Sequence, residues 1–340
     1  TFEEQARNSG IEILTSLTMD RRLYPVNLYR DYRELRRLVE ERRFDIIHSH
    51  LLHDNWLAAL SLRNYRRPHL LVRTMHRFEW PRRDPAHRWL FHTRTDRILT
   101  TSEAMKRRIV SRLGVPPESV DVIFGAVDLD RFHPGADRLK IRREYSIPDD
   151  APVAGIVARL RQGRGHDWLL RAVPKVLTVV PHAHFLIVGR GEIKRALRAE
   201  IARRPDRDHL HSTGFRFDDL PECYAAMTCS MFLGQGSEGS CRAILEAMAS
   251  GRPVIGGDDG GVAEIIAAGR TGLIVPMGDD QALAEALINL FRHPEKAAAM
   301  GLQARAECER RFTEAVRTSL IMDCYRRAWL TKYGQDLTAQ

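Results

Sequence analysis

Residues 238–255 read EGSCRAILEAMASGRPVI, and this stretch decides how the second half of the chain is interpreted. Ser237 or Ser240 can cap a helix here, Gly251 ends it, and the proline two residues later leads into an apolar strand. The helix is apolar on nearly all sides, which predicts that it is buried in a larger fold. Glu246 lies in its middle, and an unpaired buried carboxylate costs several kcal/mol or becomes neutral. We therefore expect the hydroxyl groups of a polar ligand to meet Glu246.

A Gly/Ser-rich turn lies at the start of this helix. Glu238 precedes Glu246 by seven intervening residues, and Gly239, Ser240 and Cys241 follow Glu238. The first amide N–H groups of a helix have no partner within the helix, so they form an anion site, most simply for phosphate. The alternative is a purely structural buried helix whose glutamate pairs with an internal arginine.

Composition places the chain among ordinary soluble proteins. It has 340 residues, of which 44% are hydrophobic and 29% charged, and this length allows two domains. No apolar run approaches the ~20 residues of a membrane-spanning helix and no signal peptide is evident, which predicts a cytoplasmic protein. The five cysteines contain no CxxC pair, so neither a disulfide framework nor a zinc site is expected.

The charge of the chain is strongly positive, at a formal +9. Residues 63–97 contain ten arginines and three acidic residues. This basic segment, from Arg63 to Arg97, suits peripheral contact with an anionic membrane, or an acceptor that carries phosphate or lipid diphosphate. A solvated arginine-rich surface is the alternative. A nucleic-acid partner is disfavoured because only 7% of the residues are aromatic and no known binding module is recognised.

Short apolar runs alternate with helical patterns along the whole chain, which is typical of parallel sheets covered on both faces. In the first third, the predicted strands are residues 11–14, 44–49, 70–74, 97–101 and 120–124. The alternation then restarts after turn-rich stretches, with predicted strands at 153–157, 184–188, 210–213, 230–233, 253–255 and 272–275. The pattern predicts an α/β protein with two doubly wound, Rossmann-like domains that face a cleft.

The 238–255 stretch resembles the EGFGxxxLEAMAxGxPVI signature of retaining glycosyltransferases with the GT-B fold, in particular glycosyltransferase family 4, also described as glycosyl transferases group 1. The resemblance covers nearly the whole chain, through RFDIIHSHLLHDNWLAAL, ARLRQGRGHDWLLRA, FLIVGRGE, TGFRFDDLPECYAAM and GGVAEIIAAGRTGLIVP. It implies an acceptor-side domain of residues 1–135, completed by helices of residues 314–340, and a donor domain of residues 136–313. The family's first strand, glycine-rich loop and first helix have no counterpart here, so we expect the first domain to lack them.

The resemblance also implies roles for individual residues on the donor side. Glu246 would hold the ribose hydroxyls of a nucleotide-sugar, and Glu238 would face the transferred sugar. Arg159 and Arg164 would grip the donor diphosphate, with Arg164 in place of the family's lysine. The remaining donor-binding residues implied are Gly189, Gly214, Phe215 and the turn Gly239, Ser240 and Cys241.

Histidines dominate the predicted site of the first domain. His76 occupies the position of the histidine in the family's TxHD motif, which contacts the reacting sugar and the acceptor, although a structural role is the alternative. His48 and His50 place two imidazoles on one face of a strand. A metal is disfavoured there because no carboxylate or cysteine lies at ligand spacing. In the second domain, Glu264 of a GGxxE turn is expected to be structural.

The function implied is a metal-independent retaining glycosyltransferase that moves a sugar from a nucleotide-diphosphate-sugar to a glycan or lipid-linked acceptor. Its expected setting is cell-envelope polysaccharide or glycolipid synthesis at the inner face of the cytoplasmic membrane, without a cofactor or metal. Two alternatives stay open. One is a nucleotide-sugar binding subunit with impaired catalysis, and the other is a nucleotide-sugar epimerase of the GT-B fold.

Overall fold

The chain forms two compact units. The computed structural model describes residues 6–19, 24–76, 84–234 and 238–337, with the side chains of the last range described from residue 241 onward. The first unit comprises Thr1–Thr100, Lys106–Val122 and Ile321–Gln340, and the second comprises Thr101–Met105 and Ile123–Leu320.

The first unit is built on a parallel sheet of four strands that lie side by side in chain order. The strands are β1 (Ile46–Ser49), β2 (Leu70–Thr74), β3 (Arg97–Thr100) and β4 (Val120–Val122). The helices are α1 (Pro25–Arg42), α2 (Leu52–Ser61), α3 (Pro85–Arg88), which continues into a π-helical turn (Trp89–Arg94), and α4 (Glu103–Leu113), whose residues up to Met105 belong to the second unit. Every residue of β2 is buried, as expected for a strand with neighbours on both edges and helices on its faces.

The second unit is built on a parallel sheet of six strands. They are β5 (Val153–Val157), β6 (His184–Val188), β7 (Leu210–Gly214), β8 (Cys229–Phe232), β9 (Val254–Gly257) and β10 (Gly272–Val275). The helices are α5 (Arg138–Glu144), α6 (His166–Val179), α7 (Lys194–Ala202), α8 (Leu220–Ala226), α9 (Glu238–Ala249), α10 (Asp280–Arg292), α11 (Pro294–Arg311) and α12 (Glu314–Tyr333), the last of which extends into the first unit.

Two apolar cores cover the two faces of this second sheet. Alternate residues of β5 and β6, such as Ile156 and Phe185, pack with α6, α7 and α10. The intervening residues, such as Val153 and Leu186, pack with α5, α8, α9 and α11. This division follows from the pleat of a strand, which points successive side chains to opposite faces. Burying each large apolar side chain stabilises the fold by about 1.5–3 kcal/mol.

The strand order of the second sheet is β10-β9-β8-β5-β6-β7. From β5 the chain first moves to β6 and β7 on one side and then crosses to β8, β9 and β10 on the other. The carboxyl ends of β5 and β8 therefore flank the topological switch point, where doubly wound sheets bind ligands. The loops that begin at Ala158 and Leu233 leave the sheet there.

The predicted α/β fold with two parallel sheets is confirmed. One predicted strand, residues 11–14, is wrong, because this segment forms no strand and its side chains Ile11 and Leu14 are 59% and 40% exposed. A four-residue apolar run does not specify a strand unless a neighbouring strand pairs with it.

The boundary between the units differs from the predicted one. The main segment of the second unit begins at Ile123 rather than at residue 136, and Val127 and Phe132 are buried in its core. The amide of Val127 donates a hydrogen bond to the carbonyl of Phe312, and the ring of Phe132 packs edge-on against Tyr224.

Within the described ranges, no helix combines the length and the apolar character needed to cross a bilayer.

A cluster of histidines lies at the amino ends of β6 and β7. The Nδ1 atom of His184 is 3.0 Å from Nε2 of His211, and the His209 ring lies 5.2 Å from the His184 ring. Burial lowers the pKa of His184 and the pKa of His211 to about 4, with smaller contributions from neighbouring histidines. An unfolded histidine has a pKa of about 6.5, so the unfolded chain takes up protons first as the pH falls.

We therefore expect the free energy of unfolding to decrease between about pH 6.5 and pH 4. The free energy of unfolding is expected to fall by about 1 kcal/mol less between pH 7 and pH 5 in His211→Gln than in the wild-type protein, after allowance for partial solvent exposure. Denaturant unfolding at both pH values measures this difference. His293→Gln, which changes an exposed histidine, is the control. Equal losses in the two variants would contradict the assignment to the cluster.

Candidate functional site

A cavity of about 640 Å³ lies at the carboxyl ends of β5, β6 and β7 in the second sheet. Its walls come from the loops after β5, β6 and β7 and from one side of α9. The lining residues are Val157, Ala158, Arg159, Val188, Gly189, Arg190, Gly191, Phe215, Arg216, Leu220, Arg242, Ala243 and Glu246. Four of the residues predicted from the sequence to bind a donor therefore line one cavity: Arg159, Gly189, Phe215 and Glu246.

Glu246 is buried, with only 8% of its surface exposed, yet it reaches this cavity. The Tyr224 hydroxyl donates a hydrogen bond to its Oε2 at 3.0 Å, and Nε of Arg242 lies 3.3 Å from its Oε1. Burial raises the pKa of Glu246, while Tyr224, Arg242 and Arg131 act in the opposite direction. The carboxylate is thus held in a fixed position.

These contacts correct one expectation from the sequence. A ligand was predicted to be the partner of Glu246, but Tyr224 and Arg242 already contact the carboxylate. Tyr224 lies on α8, and the packing of α8 against α9 is a long-range contact that no local pattern reveals. Because a carboxylate has about four acceptor positions, Glu246 can still accept hydrogen bonds from a ligand in the cavity.

The two predicted arginines lie close together at the end of β5. Arg159 is exposed and lines the cavity, whereas Arg164 is half-buried and lines a neighbouring cavity of about 720 Å³. Burial lowers the pKa of Arg164, and repulsion from Arg161 and Arg159 lowers it further, while Cys241 acts in the opposite direction. The two guanidinium groups and the first turn of α9 therefore lie within electrostatic range of each other.

The two glycines after β6 have a structural purpose that the sequence did not reveal. A Cβ atom on Gly189 would lie 1.9 Å from the carbonyl oxygen of Ala158, and one on Gly191 would lie 2.1 Å from that of Leu160. Because neither glycine has a side chain, the backbone of the loop that carries Arg159 can pack closely against both of them. Gly189 was expected to contact the donor, and both glycines also line the cavity. The amide of Gly189 donates to the carbonyl of Gly214, which ends β7.

Sequence reasoning missed three arginines of the cavity wall. The guanidinium carbon of Arg190 lies 4.2 Å from the ring centre of Phe215, whose side chain is largely exposed. Arg216 forms ion pairs with Asp219 and Glu144, so its positive charge is already balanced within the protein. The third is Arg242, described above. A spacing of four residues between Arg242 and Glu246 was the available signal for this pair.

Part of the predicted donor site lies outside the described side chains, namely those of Glu238 and Ser240. Helix α9 begins at Glu238, so Ser240 lies inside the helix and does not cap it. The amides of Gly239 and Ser240 belong to the first three residues of the helix, where intrahelical partners are lacking, whereas Cys241 is its fourth residue. This position is that of the predicted anion site.

His76 belongs to the first unit, just after β2, and is half-buried. Its Nε2 atom lies 2.9 Å from Nδ1 of His50, and the two rings are stacked. The rings of His48 and His50 lie on the same face, as predicted, and they are stacked with centres 4.5 Å apart. In the described part of the chain, no group of three or more His, Cys, Asp or Glu side chains is arranged to hold a metal ion.

Glu264 has the structural role expected of it. Its carboxylate accepts hydrogen bonds from the amides of Glu103 and Ala104, at 2.6 and 2.7 Å. These amides open α4, where a negative charge is favourable.

The basic segment of the first unit is less uniform than its sequence suggests. Arg73 is fully buried in β2 and lies 3.4 Å from Asp54, so it cannot contribute to a surface patch. Arg97 donates to the carbonyl of Glu118. Arg77, Arg82 and Arg83 lie outside the described residues. The exposed arginines of the described part of this segment are Arg63, Arg66, Arg67 and Arg88.

Two family profiles match the chain, one in each half. Residues 2–131 match the profile described as Glycosyltransferase Family 4. Residues 151–293 match the profile described as Glycosyl transferases group 1. The first match spans β1 to β4, and the second spans β5 to β10.

A similar relative is the GDP-mannose-dependent alpha-(1-6)-phosphatidylinositol monomannoside mannosyltransferase of Mycobacterium tuberculosis, which is 33% identical over 219 residues. The match covers 62% of this chain and 56% of the relative. The chain thus spans just over half the length of this curated relative.

Two solved structures show the same fold. A glycosyltransferase from Rickettsia africae superposes with a TM-score of 0.83 at 18% identity, covering 96% of this chain and 88% of that chain. The Anabaena protein HepE in complex with UDP superposes with a TM-score of 0.79 at 21% identity, covering 95% and 88%. At these identities the likeness establishes the fold alone, which is GT-B.

Proposed function

Since this chain belongs to glycosyltransferase family 4, we propose that it transfers a sugar from a nucleotide-diphosphate-sugar to a glycan or lipid-linked acceptor, with retention of the anomeric configuration. The setting we propose is cell-envelope polysaccharide or glycolipid synthesis. One observation carries this proposal. Arg159 and Glu246, which are 87 positions apart in the sequence, line the same cavity at the carboxyl ends of β5, β6 and β7.

The two residues suit the two ends of a nucleoside diphosphate. A carboxylate accepts hydrogen bonds from vicinal hydroxyls, so Glu246 is proposed to hold the ribose. Guanidinium groups donate to phosphate oxygens in forked pairs, so Arg159 and Arg164 are proposed to hold the diphosphate. The amides of Gly239 and Ser240, in the first turn of α9, are proposed to donate to the same phosphate oxygens without adding charge.

The same groups are proposed to stabilise the transition state. When the bond between the sugar and the phosphate breaks, its electron pair stays on the phosphate oxygen and negative charge grows there. Arg159 and Arg164 are placed to donate hydrogen bonds to that charge, which is usually the largest catalytic contribution of a site. The acceptor oxygen then bonds to the anomeric carbon on the face that the phosphate leaves, and its proton passes to the phosphate oxygen.

We propose that no metal ion is required, because two arginines can neutralise the leaving diphosphate. His76 is proposed to orient the sugar and the acceptor hydroxyl from the first unit, since an imidazole both donates and accepts hydrogen bonds near neutral pH.

A lipid-linked acceptor would require the protein to work at a membrane surface. The M. tuberculosis relative is named for a phosphatidylinositol monomannoside acceptor. In this chain, Arg63, Arg66 and Arg67 are exposed together in the turn before β2. We propose that this turn makes peripheral contact with anionic lipid at the inner face of the membrane, because each basic residue near such a surface contributes about 1 kcal/mol.

A transfer assay tests this function. The protein is incubated with radiolabelled GDP-mannose or UDP-glucose and with vesicles that contain phosphatidylinositol, with and without EDTA. GDP-mannose is chosen from the name of the M. tuberculosis relative, and UDP-glucose is a ligand of HepE in a solved complex. We expect labelled lipid with one of the donors, an unchanged rate in EDTA, and an anomeric configuration in the product that matches the donor.

Other outcomes would select the alternatives. Donor binding by calorimetry without transfer or hydrolysis would indicate a binding subunit. An epimerised nucleotide-sugar formed without any acceptor would indicate an epimerase. Binding of neither donor would contradict the proposed cavity for these nucleotides.

A further inference from the structure

Three histidine rings form a continuous stack at the carboxyl ends of β1 and β2. The ring centres of His48 and His50 are 4.5 Å apart with an angle of 20° between planes, and those of His50 and His76 are 5.1 Å apart with an angle of 17°. Neighbouring parallel strands bring these residues together, since His48 pairs in register with Val72. His50 is thus the middle ring of the stack.

A hydrogen bond joins two of the rings directly. The Nδ1 atom of His50 lies 2.9 Å from Nε2 of His76. A neutral imidazole carries one N–H group and one nitrogen lone pair, so one of the two nitrogens donates and the other accepts. The tautomers of His50 and His76 are therefore coupled, since a proton on Nδ1 of His50 requires a lone pair on Nε2 of His76.

The position of His50 is fixed by its own backbone. The amide of His50 donates to Oδ2 of Asp54 at 3.0 Å, and the amide of Leu51 donates to the same carboxylate. Oδ1 of Asp54 lies 3.4 Å from Nη1 of the buried Arg73. This ion pair ties the loop after β1 to strand β2, which carries His76 at its end.

The ring beneath His50 is fixed at both of its nitrogens. Nδ1 of His48 lies 2.6 Å from the Tyr325 hydroxyl, and Nε2 lies 2.6 Å from the Thr74 hydroxyl. Tyr325 belongs to α12, whose last residues pack in the first unit. His48 thus forms a rigid platform against which the plane of His50 is stacked.

We propose that His50 is a positioning residue, which sets the tautomer and the ring plane of His76 for contact with the acceptor hydroxyl. This inference rests on the proposed function, in which His76 meets the acceptor. An imidazole that rotates or changes tautomer presents the wrong atom to a hydroxyl. His50 therefore affects the rate of transfer through His76 and leaves the donor cavity of the second unit unchanged.

Two matched substitutions separate the hydrogen bond from the stacking. His50→Phe keeps an aromatic ring in the stack but has no ring nitrogen, whereas His50→Asn keeps a polar atom near the position of Nδ1. We expect His50→Phe to lower kcat for transfer by about 10- to 100-fold, the range seen when a group that orients a metal-binding histidine is removed. The KM for the donor should be unchanged, and His50→Asn should recover most of the lost activity.

A comparison of His50→Gln with His50→Asn serves as the test if His50→Phe does not fold. If circular dichroism shows that His50→Phe is unfolded, His50→Gln takes its place, because the polar atoms of glutamine reach the position of Nε2 rather than Nδ1. His50→Gln should then be slow where His50→Asn is active. Wild-type kcat in the Phe or Gln variant would overturn the proposal.

A spectroscopic measurement keeps this inference separate from the proposed activity. Nitrogen-15 NMR of the histidine rings reports which ring nitrogen of His76 carries the proton. We expect one dominant tautomer in the wild-type protein and a different or mixed population in the Phe variant. The same His76 spectrum in both would overturn the proposal. If the wild-type protein transfers no sugar, the proposed function fails, and the spectra still decide whether His50 sets the state of His76.

Discussion

Replacing Arg159 by methionine is expected to lower kcat for sugar transfer by about 100- to 1000-fold, the usual cost of removing one donor that faces charge developing in a transition state. Arg159 is exposed at the cavity that also contains Glu246. Methionine keeps much of the length of the side chain and removes the charge. Steady-state kinetics with the cognate donor measures the effect, and the KM for the donor should change far less than kcat.

Two further substitutions on the same loop sharpen this test. Arg161→Met removes a charge that lies near Arg164 but does not line the cavity of Glu246, so we expect a much smaller loss. Arg159→Lys keeps the charge but loses the forked geometry, so an intermediate activity is expected. If Arg159→Met and Arg161→Met have equal kcat values, Arg159 has no specific role.

Glu246→Gln is expected to raise the dissociation constant of the nucleotide-sugar by about 10- to 100-fold. The amide of glutamine cannot accept hydrogen bonds from two ribose hydroxyls as a carboxylate does, and a hydrogen bond to a charged group contributes about 1.5–3 kcal/mol. Isothermal titration calorimetry with the intact donor measures this change. Because burial raises the pKa of Glu246, the carboxylate is costly in the free protein, and the variant should melt at the same or a higher temperature.

Tyr224→Phe is the control for this substitution. It removes the hydroxyl that donates to Oε2 of Glu246 while leaving the carboxylate itself in place. We expect a weaker effect on donor affinity than that of Glu246→Gln. An unchanged dissociation constant in Glu246→Gln, with the cavity still binding the donor, would refute the proposed ribose contact.

Much of the fold could be predicted because parallel strands of α/β proteins are buried on both faces. Strands such as β2 and β6 are therefore continuous apolar runs, which a single sequence displays clearly. Helix α9 is also recognisable, since its apolar surface and the glycine that follows it are local features. The position of Glu246 within that helix was enough to predict a buried carboxylate, and the structure places it at the wall of a cavity.

Other features depend on contacts between distant segments, and the sequence could not show them. The hydrogen bond from Tyr224 to Glu246 requires α8 to pack on α9. Arg73 is buried in β2, where it lies 3.4 Å from Asp54, so a count of arginines overestimates the charge of that surface. The close contact of Gly191 with Leu160 requires the loops after β5 and β6 to meet. In each case the interacting residue lies on another segment of the chain.

The bond between His50 and His76 illustrates the same limit. The sequence places His48 and His50 on one face of a strand, and it places His76 after the next strand. The distance between the ring nitrogens of His50 and His76 follows only from the register of β1 and β2. A pattern of histidines therefore indicated a cluster but did not identify which rings are coupled.

The central claim is that Glu246, Arg159 and Arg164 contact a single nucleotide-diphosphate-sugar. A crystal structure of the protein with its bound donor tests this claim most directly. We predict ribose hydroxyls within about 3 Å of the Glu246 carboxylate and diphosphate oxygens at similar distances from both guanidinium groups. A nucleotide bound away from the cavity of Glu246 and Arg159 would contradict the account.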